Sequence, residues 1–227
     1  MIETKKKTAA FFRLEGTLVK GGVLSMAAYV AANAKGFRER ALRFSSLALT
    51  APLYALLGQN DRTMANRLAF LPFRGMSEDR IVVLAEEYFD AVMKDALLDR
   101  GLDLIAQARE EGHRVVLLSE NIEPVVSQLK GVIKGIDEIV FNRLEFRNGN
   151  CTGRLQEPIV GGHEVGKWIR AYAEEHNLHM PGSAAYGAHG PDLLLLAAVG
   201  RPCAVNPDYT LRRAASDADW PVMEYRS

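Results

Sequence analysis

The segment Ala9-Ala10-Phe11-Phe12-Arg13-Leu14 is apolar at every position but one, and it leads directly into the polar turn Glu15-Gly16-Thr17. A run this short, ended by a glycine turn, reads as a buried strand that delivers polar groups at its carboxyl end. Residues 114–119 (RVVLLS) and 183–188 (SAAYGA) have the same layout. From Leu97 onward strands and helices alternate: a helix over 102–111, the strand at Arg114, a helix after Pro124, and a strand over 138–141. That rhythm predicts an α/β fold with a parallel sheet covered on both faces. Asn148-Gly149-Asn150 predicts the turn of a small hairpin within 143–155. An amphipathic helix over 162–177, a short apolar one over 191–199, and last strands over 202–206 and 220–225 complete the pattern.

Between the first and second strands, residues 21–98 carry helical periodicity and hardly any strand signal, and 81–93 places apolar residues at three- and four-residue intervals. The expected organisation is a core of 1–20 and 96–227 with a helical cap, 21–95, inserted after the first strand. Within the cap, 41–58 (ALRFSSLALTAPLYALLG) approaches bilayer length but contains Arg43, Ser45, Ser46, Thr50 and Pro52. Two short helices meeting near Pro52, with an apolar face packed inside the cap, are expected there. Contact with a membrane surface, a protein partner or a second copy of the chain is the alternative.

Lys+Arg and Asp+Glu both number 28 in 227 residues, so no net field draws the chain to nucleic acid, and no basic-aromatic stacking motif is present. Cys151 and Cys203 have neither CxxC spacing nor a His-rich neighbourhood, which argues against a zinc site or a disulfide scaffold. Lys5-Lys6-Lys7 precedes an apolar run that ends at Arg13, too short for a signal peptide, so a cytoplasmic location is expected.

Ligands of such a sheet bind beyond the carboxyl ends of its strands, at the loops over 13–17, 119–121 and 187–192, with 162–167 approaching the same crevice. These four loops, in this order, make nearly the whole chain resemble the phosphoserine-phosphatase-like branch of the haloacid dehalogenase superfamily. The resemblance implies a Rossmannoid parallel sheet and a helical cap. The first family motif is Asp-x-Asp-Gly-Thr after an apolar strand, and its first Asp attacks phosphorus; here Arg13-Leu14-Glu15-Gly16-Thr17 stands in that place. Ser119 matches the hydroxyl that holds the phosphoryl group, and Lys167 the ammonium that neutralises the intermediate. Gly187-Ala188-His189-Gly190-Pro191-Asp192 matches the fourth motif, Gly-Asp-x-x-x-Asp.

The departures have chemical consequences. A guanidinium has no lone pair to offer and does not deprotonate at ordinary pH, so Arg13 is no nucleophile. The resemblance implies a Mg²⁺ site built from the first Asp, a backbone carbonyl and the first acid of motif four, whereas this chain supplies Arg13 and Ala188 at the two carboxylate positions. A guanidinium about 4 Å from a divalent ion would cost about 8 kcal/mol at an effective dielectric near 20. No metal is therefore expected. Glu15 takes the place of the general acid/base and, with Asp192, is expected to pair with Arg13. An anion pocket is expected from Arg13, Glu15, Thr17, Ser119, Glu120, Asn121, Lys167, His189 and Asp192; Ser119 as a helix cap and Lys167 as a solvated residue are the alternatives. His163, His176 and His179 form no metal cluster. The expected function is that of an inactive phosphatase homologue that binds an anionic metabolite or a protein. The alternatives are a metal-free residual phosphatase using Glu15, and an interaction module working through its cap.

Overall fold

In the computed structural model, which describes residues 6–225, β1 (Ala9–Arg13) lies inside a six-stranded parallel sheet. Lys5 and the side chain of His163 lie outside the described residues. Four helices follow: α1 (Val23–Ala32), α2 (Phe37–Leu57), α3 (Arg62–Ala69) and α4 (Glu78–Tyr88), the last continuing into a wider turn over Phe89–Met93. The chain then forms α5 (Asp99–Glu110), β2 (Arg114–Ile122), single turns α6 (Glu123–Val126) and α7 (Leu129–Val132), and β3 (Glu138–Asn142). A hairpin, β4 (Leu144–Arg147) and β5 (Asn150–Leu155), leads to α8 (Gly162–Glu175) and β6 (Ala184–Gly187). Last come α9 (Leu193–Leu196), β7 (Arg201–Val205), α10 (Tyr209–Asp217) and β8 (Val222–Met223).

The sheet order is β3-β2-β1-β6-β7-β8, so the direction of winding reverses between β1 and β6, where the loops of both strands open a crevice. Alternate residues of β1 serve opposite faces: Ala10 and Phe12 join one apolar cluster, Ala9 and Phe11 the other. This two-sided burial is why the strand reads as continuously apolar. Full burial of Phe11 and Phe12 contributes about 1.5–3 kcal/mol each. The first cluster runs without a break into the cap, joining Leu14 and Leu18 to Met26, Phe70 and Phe73. The two passages between core and cap lie side by side: Leu98 N–H donates to Leu18 O at 2.9 Å and Lys20 N–H to Ala96 O at 2.8 Å. The hairpin also grips the cap, with Gly75 N–H donating to Cys151 O and Cys151 N–H to Met76 O.

Four expectations need correction. The segment over 41–58 belongs to one helix, α2, which passes through Pro52 instead of ending there. A proline in a helix interior forfeits one backbone hydrogen bond, at roughly 3 kcal/mol, and packing of α2 against α1 and α3 offsets that loss. The apolar face of α2 is also not wholly inside the cap. Its inward face carries buried Arg43, Thr50 and Tyr54, whereas Leu42, Leu49 and Leu56 are 70%, 72% and 72% exposed. Arg43 can be buried because its guanidinium donates to Pro72 O and pairs with Glu39. Finally, the helix after Pro124 is only two single turns, and the last strand shrinks to Val222–Met223. Among the described residues no helix is long and apolar enough to cross a membrane.

Candidate functional site

Arg13 is the last residue of β1, in register with Leu118 of β2, and its side chain enters the crevice only 2% exposed. Glu120 lies two residues further along β2, where the β2–β3 register shifts, and is 1% exposed. Arg13 Nη2 donates to Glu120 Oε1 at 2.5 Å, while Nε lies 2.9 Å from Asp192 Oδ1. The second contact is an ion pair without hydrogen-bond geometry, since Nε and Nη1 remain buried donors with no hydrogen-bond partner.

Two cap residues complete the cluster. Arg62, which opens α3, sends Nε to both carboxylate oxygens of Glu120, and Tyr54 O–H donates to Glu120 Oε2 at 3.3 Å. The Arg62 guanidinium also lies over the Tyr54 ring, 5.0 Å from its centre. Glu120 thus collects donors from the first strand and from two cap helices. Neither cap residue was foreseen from the sequence.

Glu15 takes a different direction. Gly16 has φ +82, and a Cβ there would stand 2.7 Å from that of Ala188, so this left-handed turn needs glycine twice over. The bend aims Glu15 at β2, where Ser119 O–H donates to it at 2.6 Å and Glu120 N–H lies 3.2 Å away. Asn121 N–H in turn donates to Ser119 Oγ at 3.0 Å, and Asn121 Oδ1 accepts from Ile122 N–H. Asp192 Oδ2 accepts the N–H groups of Ala188 and His189, both at 2.9 Å, folding the loop after β6 onto its own carboxylate. His189 Nδ1 lies 3.6 Å from Asp208, which caps α10. Thr17 Oγ1 is buried without a partner, and the Thr17 carbonyl accepts from Tyr225 O–H.

The expected pairing of Arg13 with Asp192 is found, whereas Glu120 takes the place expected of Glu15, which accepts from Ser119. Lys167 stands apart from the buried cluster, its side chain 61% exposed and its ammonium 2.7 Å from Glu164 one turn away. Ser119 caps no helix, and its hydroxyl is engaged by Glu15. Of the residues expected to face an anion, Lys167 is therefore turned to the surface, while Arg13 and Ser119 are engaged by neighbouring carboxyls.

Three carboxyls, Glu15, Glu120 and Asp192, face two guanidiniums, Arg13 and Arg62. Burial pushes the Glu15 carboxyl above the usual carboxylate range, and Glu120 adds to the rise against Arg13. For Glu120 burial acts in the same direction, but Arg62 and Arg13 outweigh it and hold the carboxyl below its ordinary value. Burial opposes the charge on Arg13, yet Asp192, Glu120 and Glu15 raise its pKa above normal. Burial thus separates the two glutamates, raising the proton affinity of Glu15 while the arginines lower that of Glu120. The neighbouring Asp208 carboxylate raises the His189 pKa, and Asp208, opposed by burial but facing His189 and accepting two backbone N–H groups, is lowered to about 2.

Residues 10–197 match the haloacid dehalogenase-like hydrolase family. A Streptomyces azureus protein named for inhibition of morphological differentiation is 28% identical over 96% of this chain and 79% of its own length. A phosphoserine phosphatase of Mycobacterium tuberculosis is 26% identical over 96% of this chain and 71% of its own. A solved Bordetella pertussis protein of unknown function superposes with TM-score 0.82 at 20% identity, covering 96% of this chain and 99% of that one. The six-stranded parallel sheet agrees with these likenesses: the chain belongs to the haloacid dehalogenase-like hydrolase family, in its phosphoserine-phosphatase-like branch.

Proposed function

We propose that this chain is a non-catalytic member of its family, in which the crevice has become an internal charge clamp holding the cap on the sheet, and that it acts by binding. The observation that carries this reading is Arg13 at the nucleophile position, buried against Glu120 and Asp192. A nucleophilic carboxylate is missing there, and the guanidinium also claims the surrounding acids. The residues do not fit a Mg²⁺ ion: one family carboxylate position is Ala188, and Asp192 has one oxygen beside Arg13 and the other accepting two backbone N–H groups. Mg²⁺ requires several unencumbered oxygens in near-octahedral array.

Kinship with a phosphoserine phosphatase makes ester hydrolysis the competing reading. In a metal-free version Glu15 would activate water, but its carboxyl is 4% exposed and receives Ser119 O–H. Binding of a small anion in the crevice has one observation in its favour, the buried unpartnered donors Arg13 Nη1 and Thr17 Oγ1. The excess of carboxyl groups around Arg13 opposes it.

The test is an assay of purified protein on a panel of phosphomonoesters with and without Mg²⁺, together with thermal shifts in inorganic phosphate. No turnover and no shift are expected. Turnover that persists through purification and is removed by Glu15→Gln would overturn the non-catalytic reading, and a saturable phosphate shift lost in Arg13→Met would restore the anion site.

A further inference from the structure

Helix α2 is apolar on two sides. Its inward side buries Tyr54 beside Arg43 and Thr50 and packs Leu47 and Leu57 on the core, and its outward side presents Leu42, Leu49, Leu53 and Leu56, each 47% to 72% exposed. Residues 44–60 contain no charged side chain at all. At 1.5 Å per residue the stripe from Leu42 to Leu56 is about 21 Å long, more than scattered surface leucines account for.

The charge at its ends distinguishes the possible occupants. Lys35, Arg38 and Arg40 are exposed at the amino-terminal end beside Phe37, which is 86% exposed. The one acid among them, Glu39, is held by Arg43. A second copy packed parallel would set these cations against each other. Packed antiparallel, it would set them against the uncharged end of the stripe, whose nearest acid, Asp61, already accepts from Met64 N–H to cap α3. An anionic lipid surface satisfies both features at once: leucines enter the boundary of the acyl region while the flanking cations meet headgroups. The inward side of α2 stays packed in the cap, so the contact is peripheral and needs no unfolding.

We infer that the outward face of α2 docks the protein on anionic membrane surfaces, with Leu42, Leu49, Leu53 and Leu56 inserting at the interface and Lys35 and Arg38 contacting lipid phosphates. The inference stands whether or not the crevice is catalytic.

Co-sedimentation of the full chain with phosphatidylcholine vesicles, and with vesicles that also contain phosphatidylglycerol, tests it directly. The protein should pellet with the phosphatidylglycerol vesicles and stay in solution with phosphatidylcholine alone. Leu49→Glu/Leu56→Glu, whose sites face solvent, should abolish pelleting with an unchanged circular dichroism melt. Lys35→Ala/Arg38→Ala should weaken pelleting and its salt sensitivity. Absence of wild-type pelleting with both vesicles would overturn the inference independently of any variant. So would a dimer in sedimentation equilibrium that Leu49→Glu/Leu56→Glu dissociates, since a second copy would then own the face.

Discussion

Arg62 Nε donates to both carboxylate oxygens of Glu120, at 2.8 and 2.7 Å, although one residue opens a cap helix and the other lies on the second strand of the sheet. With Arg13 on the opposite side, Glu120 is the point through which cap and core are held by charge. A buried ion pair adds little over a well-packed apolar pair, but breaking one strands the remaining charge.

Arg62→Ala should therefore cost on the order of 3–5 kcal/mol in urea unfolding. Before global unfolding it should raise hydrogen exchange in α3 while leaving β1 and β2 protected. Arg62→Lys should recover only part of the loss, because an ammonium lacks the planar fork of the guanidinium. Equal protection of α3 in Arg62→Ala and wild type would show that apolar packing alone seats the cap.

Arg13→Ala should destabilise by a similar amount, since it leaves Glu120 and Asp192 short of a buried cation. The two arginines share Glu120, so their effects should not add. A coupling above about 0.5 kcal/mol is expected from the double-mutant cycle. Strict additivity would mean that Arg13 and Arg62 act through different partners.

Glu15 gives a pH dependence of defined sign. Its folded-state pKa is raised, so the fold binds a proton more tightly than the unfolded chain does. The stabilisation is complete below the ordinary carboxylate pKa and is lost as pH rises through the raised folded value. Glu120, whose pKa is lowered, acts with the opposite sign and loses its contribution as pH falls through its folded value. Glu15→Gln should remove the falling limb and make the protein more stable than wild type on the alkaline side of that window. Urea midpoints across the pH range read this directly; a parallel offset of the two curves would mean that Glu15 is ionised throughout.

How far the sequence discloses this arrangement depends on whether local pattern or distant packing decides each feature. Burial on both faces made β1 legible to within one residue, and Asn148-Gly149 marked the hairpin because both residues take positive φ there. The positions of Arg13, Glu15, Ser119 and Asp192 could be placed because each lies near the carboxyl end of a strand. Apart from the Arg13–Asp192 pair, their partners could not. Glu120 is 107 residues from Arg13, and Tyr54 and Arg62 sit on helices whose rotation about their axes no local rule determines. Helix α2 misled for the same reason: an apolar sequence implies an inward face only when the fold supplies a core for it. The rotation observed gives that place to Arg43, Thr50 and Tyr54.

The clamp also sets what restoring the family chemistry would require. Arg13→Asp, Glu15→Asp and Ala188→Asp together would return a nucleophile, a general acid/base and a metal carboxylate. In this crevice they would add two acids, at 13 and 188, to Glu120, Asp192 and the acid kept at 15 while removing Arg13, leaving Arg62 as the guanidinium facing the set. Without metal the triple mutant should be markedly less stable than wild type, since the clustered carboxyls must protonate or repel one another. Mg²⁺ should reverse much of that loss, because an ion that binds the folded state stabilises it by about 2.7 kcal/mol when present at about a hundred times its dissociation constant. Wild type should show no such shift. Single substitutions should not become phosphorylated by acetyl phosphate, because catalytic groups that act as a unit fail together. The decisive comparison is thermal melting of wild type and triple mutant with and without Mg²⁺, followed by mass spectrometry of position 13 after acetyl phosphate treatment. A folded triple mutant indifferent to Mg²⁺ would show that the backbone of the crevice, and not only its side chains, has left the family geometry.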